Sequence, residues 1–193
     1  GNLVTSITWS YELELKKIPS WLQTLEKVTH VDLQFCDVKE IKGGAFPASL
    51  ERLDINNQVS GLRLHPDSFE GLVNLRLLGG NFVPNGEGGL SRNYLGDTDM
   101  HPGLFRDTRL EELGLDTSNF TRFNATELGL GGQPLVNLDL YRGSLSSIDL
   151  RGMTTLTNLN IGANKLRSLP PGIFDGLGSL SDVNLKENPW ESL

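Results

Sequence analysis

From Leu156 onward the apolar residues fall into a fixed rhythm: Leu156, Leu159, Ile161 and Leu166 stand at offsets 0, 3, 5 and 10, with Asn164 at offset 8. The alternation at offsets 3 and 5 predicts a short strand with one buried face and an outward face carrying the residues between. Asn164 falls where the chain must bend out of that strand, and its amide can donate to and accept from backbone groups the bend leaves unpaired. Leu166, Leu169, Ile173, Phe174 and Leu177 then predict a return segment across the interior, after which the pattern restarts at Leu180. One such unit cannot cover its own apolar edge; it needs a copy above and below.

Laid along the chain, the same rhythm starts near residues 4, 28, 50, 75, 110, 135, 156 and 180, so residues 1–193 read as one domain of about eight coils. The strand positions are Val4, Ile7 and Trp9 in the first coil, Val28, Val31 and Leu33 in the second, and Leu50, Leu53 and Ile55 in the third. Leu110, Leu113 and Leu115 open the fifth coil, Leu135, Leu138 and Leu140 the sixth, and Leu180, Val183 and Leu185 the eighth. Starts are 21 to 25 residues apart except between Leu75 and Leu110, where they are 35 apart. Against a coil of about 24 residues, roughly eleven are surplus. They are expected in an inserted loop over 79–103, whose glycines and prolines fit neither a helix nor a strand interior. The turn position is expected to hold Asn only at Asn164 and Asn188, with Cys36, Gln58, Val83, Ser118 and Gly143 elsewhere.

The L-x-x-L-x-L-x-x-N-x-L pattern resembles the leucine-rich repeat superfamily over nearly the whole chain, and LRSLPPGIFDGLGSLSDVNLKENPW at 166–190 is similar to repeats of animal extracellular members. Those include toll-like receptors, the variable lymphocyte receptors of jawless fishes, and neuronal adhesion and guidance proteins. The resemblance implies an α/β-type solenoid. It would be a curved horseshoe with a parallel β-sheet on the concave face, loops and short helical turns on the convex face, and a role in binding macromolecules. It implies no particular ligand, because members sharing these repeats bind unrelated targets. The cap cysteines of that group are absent: Ser192 stands where the first would be expected after Pro189 and Trp190. The resemblance implies an extracellular or cell-surface location, while the missing caps leave a microbial or intracellular origin open.

Charge narrows the partners. A net charge of −7 and a pI near 5.0 exclude the basic patches that nucleic acid and anionic membranes call for. No apolar run approaches the roughly 18 residues of a membrane span. No catalytic, cofactor or metal site is expected: His30, His65 and His101 lie on different coils without ligand spacing, and GGNFVPNGEGG lacks the Lys-Ser/Thr ending of a phosphate loop. Cys36, at a turn position, reads as a small buried thiol. His30 is expected beside Asp32, where it would titrate against a bound partner.

The outward positions carry the binding reading. Offset 4 brings Asp32, Asp54 and Asp139 into one column, and offsets 6 and 7 bring Tyr11, Phe35, Phe82, Asp116, Tyr141 and Arg142 along one edge. Aromatic and arginine side chains beside an acidic face are what an interface core favours. Two sequons begin at Asn119 and Asn124; composition alone accounts for about two such triplets. The leading expectation is a non-enzymatic recognition module that holds a protein ligand on the concave face, with the inserted loop as a lateral grip. A structural or adhesive surface repeat and the substrate-binding arm of a larger enzyme or effector are the alternatives. An end-to-end homodimer is expected where the terminal coils leave Val4, Trp9 and Trp190 uncovered.

Overall fold

Eight short parallel strands, one per coil, form a single sheet in chain order in the computed structural model, which describes residues 3–78 and 90–191. Each strand occupies the place the rhythm assigns, from Ser6–Thr8 through His30–Asp32, Arg52–Asp54, Leu77–Leu78, Glu112–Gly114, Asn137–Asp139 and Asn158–Asn160 to Asp182–Asn184. The register aligns equivalent offsets, with Ile7 beside Val31, Val31 beside Leu53, Leu113 beside Leu138, and Leu138 beside Leu159 and then Val183. Those apolar residues point inward. Coils 2 to 7 are almost fully buried there and form one continuous core with the return segments, in which Phe69 stacks on Phe105 at 5.4 Å.

Helical content is lower than the α/β-type solenoid expectation. Among the described residues only Leu22–Thr24 and Asp97–Asp99 form single 3-10 turns. The return side instead carries turns and two small parallel ladders, Glu40–Ile41 with Arg63–Leu64 and Arg122–Asn124 with Ser147–Asp149. Coil 4 supplies no strand between these ladders. Its carboxylates stand in for carbonyls: Leu64 N–H donates to Asp99 Oδ1 at 3.1 Å, and the Thr121 N–H and hydroxyl donate to Asp97 at 2.7 and 2.8 Å. Burial is the largest influence on Asp97 and pushes its carboxyl up, yet the bonds from Thr121 together with Arg122 outweigh it and hold the group below its ordinary value.

The insertion is narrower than the expected 79–103. Leu90 and Leu95 are buried in the core at offsets 5 and 10 of coil 4, and Asn93 takes offset 8. The surplus therefore interrupts coil 4 between Leu78 and Leu90; Val83 and residues 79–89 lie outside the described residues. Asn93 replaces Val83 as the turn residue, because its side chain accepts from Gln58 N–H at 3.0 Å and donates to Ile55 C=O at 2.8 Å.

At every coil the residue just before the turn position has a left-handed backbone: Tyr11, Phe35, Asn57, Arg92, Thr117, Arg142, Ala163 and Glu187. For most of these side chains that conformation costs about 1 kcal/mol or more. It is held by a ladder of N–H groups reaching the next coil, such as Phe35 to Asn56 C=O at 3.1 Å and Arg142 to Gly162 C=O at 3.0 Å. Interior polar side chains complete the bend. Gln58, Asn93, Asn164 and Asn188 each accept a backbone N–H from an adjacent coil and donate to carbonyls.

The ladder breaks at coil 5, where Ser118 is too short to span the bend and its buried hydroxyl has no hydrogen-bond partner. Ser118→Asn is expected to raise stability by about 1 kcal/mol, the net worth of a buried hydrogen bond. A urea unfolding midpoint that stays or falls would show that the bend at coil 5 cannot take the longer side chain.

Candidate functional site

The solvent-facing side of the sheet is built from two columns, the second and fourth positions of each strand-opening segment. At the amino-terminal end Arg52 and His30 both close on Asp54. Asp54 is only 1% exposed, with Arg52 Nε donating to Oδ2 at 2.7 Å and His30 Nε2 lying 3.1 Å from the same oxygen. His30 thus engages Asp54 of the next coil and not Asp32, whose Oδ1 accepts from Gln34 N–H at 3.0 Å.

Coils 5 to 8 differ. In the first column Asn158 Nδ2 donates to Asn137 Oδ1 at 2.6 Å, and Asn137 Nδ2 donates to Glu112 Oε1 at 3.3 Å. In the second, Asn184 Nδ2 donates to Asn160 Oδ1 at 2.9 Å, and Asn160 hydrogen-bonds the Asp139 side chain. Both chains of amides run the same way and each ends on a carboxylate. Aligned hydrogen bonds polarise one another, so the two amide chains stabilise the negative charges of Glu112 and Asp139, neighbours across coils 5 and 6.

Asp139 Oδ1 also accepts from Tyr141 N–H at 2.9 Å. Burial is the largest influence on its carboxyl and, with the nearby charge of Asp116, raises it from the ordinary range to about 6 despite those hydrogen bonds. Neither Glu112 nor Asp139 has an ion-pair partner in the described residues. Tyr141 and Arg142 follow at the strand exit, the guanidinium carbon 5.7 Å from the Tyr141 ring centre.

The other sequence-derived positions are scattered around this patch. Asp116 is 3% exposed, with the Thr117 hydroxyl donating to it at 2.9 Å. Tyr11 and Phe35 stack in parallel at 4.7 Å on coils 1 and 2, far along the sheet from Tyr141. Phe82 lies outside the described residues. The acidic column expected at offset 4 is corrected in one respect: Asp54 is committed to Arg52 and His30 and adds no free charge to that column. Sequence reasoning did not single out Asn137 and Asn158, because their role depends on register; an amide column at offset 2 leading to Glu112 was the available signal. On the terminal coils Leu3, Val4 and Trp21 are exposed, while Trp9 and Trp190 are half-buried.

No group of three His, Cys, Asp or Glu residues could hold a metal among the described residues. Cys36 is buried, its Sγ 3.0 Å from Trp9 C=O, and burial raises its pKa. His65 pairs with Glu40 at 3.0 Å, and His101 lies 3.0 Å from Leu64 C=O, where it supports the flank of coil 4.

The sheet of one strand per coil, its inward apolar triplets and its polar turn ladder define the fold of the leucine-rich repeat superfamily. Known proteins agree. A chain from the octameric complex of Latrophilin 3, Unc5D and the leucine-rich repeat protein FLRT2 superposes with a TM-score of 0.72 at 22% identity, covering 89% of this chain and 49% of that one. A leucine-rich repeat protein of Leptospira interrogans superposes with a TM-score of 0.67 at 23% identity, covering 91% of this chain and 41% of that one. In sequence the chain is 38% identical over 101 residues to the platelet glycoprotein Ib alpha chain of Mus musculus, across 50% of this chain and 13% of that protein. The chain thus spans half or less of each. No family model matches it.

Proposed function

We propose that this solenoid is a non-enzymatic recognition module, working at the cell surface or outside it, that binds a protein partner presenting a basic segment to the sheet face of coils 5 to 8. The pair of amide chains converging on Glu112 and Asp139 carries this reading. A lysine or arginine placed there would meet two carboxylates without ion-pair partners among the described residues, with Tyr141 and Arg142 at the edge to supply contact area. The extended polar face suits a macromolecule better than a small metabolite, which calls for a concave, largely apolar pocket. The assembly named for the FLRT2 complex supports a protein as the partner class. The adhesive-repeat and enzyme-arm alternatives, and pairing end to end through Val4, Trp9 and Trp190, draw no comparable support from the arrangement of side chains.

A fluorescent lysine-rich peptide titrated against the folded chain is expected to bind saturably, and more weakly as salt rises. Glu112→Lys should lower its affinity at least about tenfold by placing like charges together, and Tyr141→Ala with Arg142→Ala should weaken binding further without unfolding the chain. Unchanged binding in both variants would sink the proposed patch.

A further inference from the structure

The two sequons of coil 5 stand in unequal surroundings. Asn119 is exposed on the flank where the chain has just left the turn, and its backbone N–H donates to Leu95 C=O at 2.7 Å. That bond ties the backbone of Asn119 to coil 4 at Leu95. Only the backbone of Asn119 is used by the coil, and the next residue, Phe120, anchors the segment in the core at 3% exposure. The hydroxyl of Thr121, which completes the triplet, is tied to Asp97. Asn124 differs in each respect. It is half-buried in the strand Arg122–Asn124, opposite Asp149, and its Oδ1 accepts from Glu127 N–H at 2.9 Å. The Arg122–Glu127 ion pair closes over the same turn.

We infer that Asn119 is an N-glycosylation site and that Asn124 is not. In the transfer, the Asn119 amide nitrogen attacks the anomeric carbon of a polyprenyl-diphosphate-linked oligosaccharide. The carbon–nitrogen bond forms as the carbon–oxygen bond to the diphosphate breaks; the polyprenyl diphosphate leaves and the amide proton passes to a base of the transferase. The first sugar then extends into solvent from the exposed flank. At Asn124 a sugar would have to grow from a side chain folded back on its own turn, next to a paired strand.

This inference rests on the extracellular part of the proposed function but not on the sheet-face patch. Its test is separate: the chain is exported through a eukaryotic secretory pathway and its glycopeptides are mapped by mass spectrometry. Asn119 is expected to be occupied in most molecules and Asn124 in almost none, with Asn119→Gln removing the enzymatically releasable glycan mass and Asn124→Gln leaving it. Mapping the unmodified sequence keeps the result independent of whether either variant folds. An empty Asn119 on the secreted chain, or a glycan on Asn124, overturns the assignment.

Discussion

Asn164→Ala is expected to lower the free energy of unfolding by about 3 kcal/mol or more, because the 3%-exposed amide holds the bend of coil 7 together. Leu145 N–H donates to its Oδ1 at 3.0 Å, and its Nδ2 donates to Leu140, Ile161 and Gly162 carbonyls at 2.8, 3.2 and 3.0 Å. Alanine leaves these buried backbone groups without that partner, and each unsatisfied group costs about 1 to 3 kcal/mol before water or relaxation recovers part of it. Little room exists for relaxation: a Cβ on Gly143 would lie 2.8 Å from Asn164 Oδ1, which is why the neighbouring turn position is glycine. In a solenoid the damage should spread to the nearest coils first. Amide exchange should therefore quicken through coils 6 to 8 while coils 2 and 3 stay protected. A loss below about 1 kcal/mol in urea unfolding would mean that the left-handed backbone ladder, and not the amide, maintains the bend.

That contrast marks what the sequence discloses. The apolar triplets fix strand positions because a short strand buried on one face tolerates no slip in its period of two. All eight strands fall where Val4 through Leu180 start the count. Coil 4 was harder, since the rhythm stops at Leu78 and resumes only at Leu90. The second half of the motif, Leu90, Asn93 and Leu95, is intact but displaced, so a gapped comparison was needed to recover it. The left-handed residues were hidden for another reason. Tyr11, Phe35 and Arg142 have no intrinsic liking for that conformation, and only the N–H ladder between coils imposes it. In the candidate site the acidic residues were visible as letters, but their availability was not. Asp54 and Asp139 occupy equivalent positions, and whether a counter-ion stands in the adjacent coil decides which is free. Arg52 and His30 occupy Asp54; the amide of Asn160 meets Asp139 and leaves its charge in place.

Asp139→Asn is expected to stabilise the protein at neutral pH while weakening the binding of basic partners. The carboxyl of Asp139 stands at about 6 in the folded chain, against about 3.9 when unfolded. Between those values the native state holds the proton more tightly than the unfolded chain, so stability falls as pH rises through this window and stays lower above it. The loss on ionisation is on the order of 3 kcal/mol. Asparagine keeps an oxygen for Tyr141 N–H and for the Asn160 amide, yet carries no charge to desolvate. The variant should thus lose this contribution to the fall in stability between about pH 4 and 6, and exceed the parent by roughly 3 kcal/mol at pH 7. A basic side chain docking at Asp139 would reverse the effect of burial on the parent, favour the ionised form and release the bound proton. Peptide binding to the parent near pH 6 should then release a fraction of a proton, detectable as a dependence of calorimetric heat on the buffer's ionisation enthalpy, and the variant should release almost none. A variant no more stable at pH 7, with undiminished peptide affinity, would remove Asp139 from the recognition surface and leave Glu112 to carry the binding.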